Sequence, residues 1–313
     1  MRHESFIADF KQPPSLYRGK PFWAWNGRLE PDELRRQVRL MHRMGLGGFF
    51  MHSRVGLATG YLSDEWFSGV EACVDEARNL GMEAWLYDED RWPSGAAGGY
   101  VTANADYRMR FVTVDVVENP EQISWEDEAI VAVFAGQVAG TEGCCIRKVT
   151  KNGNSELGRT ESLLVFRIIQ PELDSWFNGY TYPDTLNREA VRRFIEVTHE
   201  AYRERVGDAF GQTIPGIFTD EPHPGGKFWS VGHVAVDSGL PWTGTLPDVF
   251  ETRYGYDIRA YLPHLFFDLQ DEDTVPFRRD YHDCVTFMFC EAFAKQIGTW
   301  CENHSLLFTG HVQ

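Results

Sequence analysis

Gly216-Ile217-Phe218-Thr219-Asp220-Glu221-Pro222 decides how this chain is read. A short apolar run ends abruptly in two carboxylates and a proline. A carboxylate at the carboxyl end of a buried strand is costly unless something pairs or uses it. In a parallel α/β barrel, that end is where active sites are built. The run therefore predicts a strand over residues 214–219, with Glu221 at its open end as a candidate proton donor to a glycosidic oxygen.

Upstream of this run, strand and helix patterns alternate. Residues 20–27, Lys20-Pro21-Phe22-Trp23-Ala24-Trp25-Asn26-Gly27, read as a first strand. A helix follows over 31–45. Leu34, Val38 and Met41 share its apolar face, Pro31 suits its first turn, and Gly45 suits its stop. Residues 47–52 read as a second strand. Ser63 caps a predicted helix over 64–80 that Gly81 closes, and 83–88 read as a third strand. Three such passes point to a parallel sheet or barrel.

From 110 to 170 the rhythm changes to short β-rich runs at 111–117, 129–138, 144–149 and 162–169. This predicts a small antiparallel subdomain inserted after the third strand, where barrels tolerate insertions. The alternation resumes with a helix over 188–206 and the strand at 214–219. A Gly- and Pro-rich loop over 223–245 is too long for a mere connector and is expected to be a lid or pocket wall. Helices over 246–262 and 277–303 precede a fifth strand at 306–311.

The fold class expected is α/β: a (β/α)8 TIM-type barrel of which the chain carries the first five strands, with an inserted antiparallel β subdomain. Barrel units β1 to β3 fall in 1–109, the insertion in 110–175, and the barrel continuation in 176–313. With five strands where such a barrel needs eight, the chain is expected to be truncated at its C-terminus.

Composition narrows the function. A formal net charge of -16 argues against nucleic acid and anionic membrane surfaces as partners and suits a neutral substrate. Ten Trp suit stacking on pyranose faces, with core packing as the competing use. Six Cys without a CxxC pair, and an N-terminus without an apolar signal core, favour a reduced, cytoplasmic setting. A periplasmic or secreted location follows if a signal has been removed. The oligomeric state is left open.

The strand ends collect the chemistry. They bring Trp23, Trp25 and Asn26 from the first strand and His52 from the second. The third ends in Tyr87, Asp88, Glu89, Asp90 and Trp92, the fourth in Asp220 and Glu221, and the fifth in His311. Glycoside hydrolysis needs two carboxyls flanking the bond. Glu221 is the candidate acid, and Asp88, Glu89 or a residue on a later strand is its partner. Asp220 is a poor partner, because successive strand residues point to opposite faces. Trp23, Trp25 and Trp92 are expected to form apolar walls. Asn26, His52, Tyr87, Asp90, Asp220 and His311 complete the expected substrate contacts. No metal ligands are assigned, and no EF-hand spacing is present.

Residues 21–27 and the run Gly45-Leu46-Gly47-Gly48-Phe49-Phe50-Met51-His52 resemble the opening of the catalytic barrel of glycoside hydrolase family 106. That family comprises α-L-rhamnosidases and related glycosidases. The segments 85–95 (Trp85-Leu86-Tyr87-Asp88-Glu89-Asp90-Arg91-Trp92-Pro93-Ser94-Gly95), 218–222 and 309–311 extend the resemblance in order. It implies a (β/α)8 barrel, hydrolysis with two glutamates, inversion with calcium assistance, and Glu221 in the proton-donating position. The chain departs from the family by lacking the later strands and accessory β-domains. Asp220 also stands where many retaining barrel glycosidases have Asn.

The expected function is hydrolysis of a terminal rhamnose-like sugar or hexose from a glycan. The alternatives are a non-catalytic carbohydrate-binding barrel and a metal-dependent hydrolase built on His52, Asp220 and His311.

Overall fold

The computed structural model describes residues 3–151, 157–225 and 239–311. In chain order the strands are β1 (Phe22–Trp25), β2 (Gly48–Ser53), β3 (Glu83–Tyr87), β4 (Arg110–Val117), β5 (Ile130–Ala139), β6 (Glu142–Val149), β7 (Ser162–Ile169), β8 (Gly216–Asp220), β9 (Leu240–Trp242), β10 (Asp268–Leu269) and β11 (Leu307–His311). The protein is mixed α/β. One sheet has five parallel strands in the order β1-β2-β3-β8-β11. It is strongly curled. Two strands separate β1 from β8, yet the rings of Phe22 and Phe218 meet across the concave face with centroids 4.8 Å apart.

Helices cover the other face. Pro31–Arg43 buries Leu34 and Val38, and Asp64–Leu80 buries Trp66, Phe67, Val70 and Val74. Ser63 Oγ accepts from the Trp66 N–H, and Gly81 closes the helix in the left-handed conformation at φ 64°. The helix expected over 188–206 divides into Arg188–Val197 and His199–Val206. At the break, the Thr198 hydroxyl donates to the Phe194 carbonyl at 2.8 Å, a back-bond that bends helices. The helix expected over 246–262 stops at Tyr254, because Gly255 turns left-handed at φ 80°. Val275–Phe289 runs through a π-helical turn, Cys290–Ala294, into Lys295–Asn303.

The second sheet, in the order β10-β6-β5-β7-β4-β9, is antiparallel except at the β10–β6 pair. Strands β9 and β10 come from outside 110–175, and neither was expected from the sequence. Alternation along β7 explains how this sheet packs. Leu164 and Phe166 join the main core, while Leu163 and Val165 join a smaller cluster with Ile123, Val133 and Val149. The lid expected over 223–245 falls largely outside the described residues. Among those residues, no helix is long and apolar enough to cross a membrane.

Close strand contact makes a local prediction. A Cβ on Gly216 would lie 2.5 Å from both the Leu307 carbonyl oxygen and the Trp85 ring. Gly216→Ala is expected to cost about 1–3 kcal/mol. A shift in the denaturant midpoint at constant m-value checks this, and an unchanged midpoint would show that the β3-β8-β11 contact is looser than described.

Candidate active site

Parallel register assembles the concave face. Phe22 pairs with Phe50, Ala24 with His52, Tyr87 with Phe218, Phe218 with Thr309, and Asp220 with His311. Registered residues of parallel strands share a face, so apolar rings form a floor at the amino side. Polar groups gather at the carboxyl ends. Phe22, Phe50 and Phe218 contact one another. Above them, the His52 ring lies 3.9 Å from Tyr87, centroid to centroid. Burial holds the His52 imidazole neutral, its pKa pushed down to about 4, with the Arg54 charge adding to the effect.

At the rim, Asp220, Glu221 and His311 bring one ligand atom each within 4.8 Å of one another. This corrects the expectation that Asp220 and Glu221 diverge. Glu221 has φ 47°, a left-handed conformation that is costly for a side-chain-bearing residue, and so leaves the strand alternation. Its N–H donates to the His311 carbonyl at 3.0 Å, and Trp92 Nε1 donates to Glu221 Oε2 at 2.7 Å. The Tyr87 hydroxyl donates to Asp220 Oδ2 at 2.9 Å, and His311 Nδ1 lies 3.4 Å from Asp220 Oδ1. Burial and the Asp220 charge raise the Tyr87 hydroxyl far above its ordinary pKa, so it stays protonated and can donate to Asp220.

The segment after β3 is tied to this rim by buried bonds. Ser94 is the connector. Its hydroxyl donates to Asp88 Oδ1 at 2.6 Å and accepts from the Asp220 N–H at 2.8 Å, while its own N–H donates to the Asp220 carbonyl. Glu89 is 1% exposed and accepts five backbone N–H groups, from Asp90, Gly95, Ala96, Ala97 and Gly98. Burial pushes its carboxyl up to about 7, against the pull of those donors. Asp88 is 0% exposed, and burial drives it well above the usual carboxylate range, with the Ser94 hydroxyl opposing. Asp88 and Glu89 therefore lie behind the strand ends and not in the open site. Asp90 faces another way, held by the Ser53 hydroxyl at 2.9 Å and Asn178 Nδ2 at 3.1 Å.

Trp23 and Trp25 are a correction. They occupy the positions of β1 that face the helices. Trp25 is 2% exposed against Trp66, and Trp23 donates to Gln37. The period of two that puts Phe22 on the concave face puts both tryptophans behind it. Asn26 is exposed in the loop beyond β1. Trp92 does reach the rim, with 37% of its surface exposed. Trp176, unremarked in the sequence, joins it by donating to the Trp92 carbonyl at 2.6 Å. Ser94 and the Phe22–Phe218 floor were also missed. Strand parity was the available signal for the floor, and none existed for Trp176, which comes from a loop remote in sequence.

The cation set proposed from sequence changes too. Glu221 stands with Asp220 and His311, and His52 does not. Calcium takes six to eight oxygen ligands. Two carboxylates and an imidazole do not fit that preference, and Glu89 cannot add to it because its oxygens are occupied by backbone donors.

No protein-family profile and no curated protein matches the sequence. Among solved structures, the chain is similar to a rhamnosidase from Novosphingobium sp. PP1Y, with a TM-score of 0.63 at 12% identity. The likeness covers 97% of this chain and 47% of that one, so the chain spans about half that structure's length. At this identity the likeness is one of fold.

Asp88 gives a pH test. Its folded pKa lies above its ordinary value of 3.8. Its contribution to stability is therefore fully present below that ordinary value and is lost as pH rises through the folded pKa. The neutral isostere Asp88→Asn is expected to gain on the wild type with rising pH, by up to about 1.4 kcal/mol per unit. Denaturant unfolding of both proteins at pH 5 and pH 8 measures this. A difference that does not change with pH would mean that Asp88 is ionised in the fold.

Proposed function

We propose that the protein is a glycoside hydrolase acting on a terminal sugar, rhamnose-like or a hexose, with Glu221 protonating the leaving oxygen. The observation that carries this reading is the Glu221 carboxyl itself. It is turned out of its strand at φ 47° and oriented by the Trp92 indole at 2.7 Å, on the open rim of a curled parallel sheet. Strained side-chain-bearing residues cluster at functional sites because the surrounding structure must hold them there. The rhamnosidase fold likeness supports the same class of chemistry.

The five parallel strands are read as the first part of a (β/α)8 barrel. Residues 1–109 supply units one to three, 110–175 the insertion, and 176–313 the continuation. Asp220 and His311 are assigned to substrate hydroxyls, His52 and Tyr87 to the wall beneath them, and Trp92 and Trp176 to the sugar's apolar face. Glu89 holds the segment that carries Trp92, and does not attack or activate water. Asp88 is likewise enclosed and is not assigned the role of base.

Loss of a general acid typically costs 10²- to 10⁴-fold. Glu221→Gln is expected to lose activity on unactivated glycosides by about that factor, with the thermal midpoint unchanged. Equal rates for wild type and variant across a panel of rhamnosides and hexosides would remove Glu221 from the role. A second reading, a cation-dependent hydrolase, rests on the convergence of Asp220, Glu221 and His311. Elemental analysis showing one transition metal per chain, lost in His311→Ala, would favour it.

A further inference from the structure

Cys144 and Cys145 are neighbours on β6. In a regular strand, adjacent side chains point to opposite faces, which would keep the two thiols apart. β6 is not regular there. Its pairing with β5 runs from Ala135 opposite Arg147 to Gln137 opposite Cys144, so Cys145 and Ile146 together face Gly136. Two residues against one make a β-bulge, a device that re-aims side chains. Cys145 carries the bulge at φ 57°, a left-handed conformation uncommon for a residue with a side chain. Its N–H donates outside the β5–β6 ladder, to Asp271 Oδ2 at 3.2 Å. Gly136 gives the bulge room, since a Cβ there would collide with the Ile146 side chain.

The bulge brings the thiols together. The Cys144 S–H hydrogen-bonds the Cys145 sulfur, and Cys144 Sγ also lies 4.0 Å from Gln137 Oε1. The two are not equivalent. Cys145 is exposed and Cys144 is half-buried. Partial burial raises the Cys144 thiol above its ordinary pKa, and its bond to Cys145 raises it further. Cys144 is therefore slow to become the attacking thiolate, and Cys145 is the thiol that an oxidant reaches first.

We propose that Cys144 and Cys145 form a reversible redox site for hydroperoxides, with Cys145 attacking and Cys144 resolving. The Cys145 thiolate attacks the O–O bond and keeps one oxygen as a sulfenic acid. The leaving alkoxide takes up the proton that Cys145 lost and departs as an alcohol, or as water from hydrogen peroxide. The Cys144 sulfur then bonds to the Cys145 sulfur, and the sulfenic oxygen leaves with the Cys144 proton as water. Two thiols are thus oxidised by two electrons, and one peroxide is reduced by the same two. Adjacent Cα atoms stand about 3.8 Å apart across a trans peptide, less than the usual disulfide span of about 4.4–6.8 Å, so the bridge is strained and reducible. Two thiols of the glutathione class restore the dithiol and leave as their own disulfide. The site belongs to the antiparallel sheet and does not depend on the chemistry at Glu221.

The test treats the whole chain with hydrogen peroxide, blocks remaining thiols with N-ethylmaleimide and maps the products by mass spectrometry. Cys290, also exposed, serves as the internal reference. The peptide with both cysteines is expected to lose two hydrogens and both alkylation sites at least about tenfold faster than Cys290 is oxidised. Millimolar glutathione is expected to restore them. Cys144→Ser is expected to stop at a dimedone-reactive sulfenic acid on Cys145, and Cys145→Ser to slow oxidation of Cys144 to the Cys290 rate. Unfolding the wild type in urea removes the bulge and is expected to slow disulfide formation by about tenfold, which separates the folded site from mere adjacency in sequence. Oxidation no faster than at Cys290, equal behaviour of the two serine variants, a rate unchanged in urea, or a disulfide that glutathione leaves intact would overturn the proposal.

Discussion

In a parallel sheet, hydrogen-bond register couples each side chain to one on the neighbouring strand, and here that coupling runs from Phe22 to His311. The ring floor and the pairing of Asp220 with His311 follow from it. Phe22, Phe50 and Phe218 become a continuous floor because they sit at registered positions. Asp220 meets His311 for the same reason. Curling brings strands that are not neighbours into contact through their side chains, so the concave face is crowded with rings at one end and polar at the other.

One departure from alternation gives the rim its chemistry. Had Glu221 stayed extended, its carboxyl would have pointed away from Asp220. The left-handed turn at Glu221 places both carboxyls and the His311 imidazole together. Such a conformation costs of order 1–3 kcal/mol and persists only if neighbours hold it. The bonds from the Glu221 N–H to His311 and from Trp92 to the carboxyl help to hold it here.

Trp92 is held in turn by the segment after β3, and that segment is organised around a buried carboxylate. Five backbone N–H groups converge on Glu89, which satisfies donors that would otherwise be stranded in an interior loop. Ser94 then binds the same segment to Asp220 through both backbone and side chain. Two acidic residues far apart in sequence thus do different work: Glu89 builds the loop, and Glu221 is presented by it.

Much of this was legible without coordinates. Hydrophobic runs and glycine stops located the five parallel strands and the helices between them, since local periodicity and capping are properties of neighbouring residues. The acidic end of 216–222 and the strand-end position of His311 were equally local. The sequence could not say that Trp23 and Trp25 face the helices, because parity has no origin until one strand is anchored in a register. Nor could it distinguish Glu89 from Glu221, because the difference lies in donors contributed by a folded loop. The sequence by itself determined the five parallel strands, most of the helices between them, and the polar groups that end those strands. Only the tertiary structure decided which of those groups share a face, because sheet register, curl and one left-handed residue are set by contacts between segments far apart in the chain.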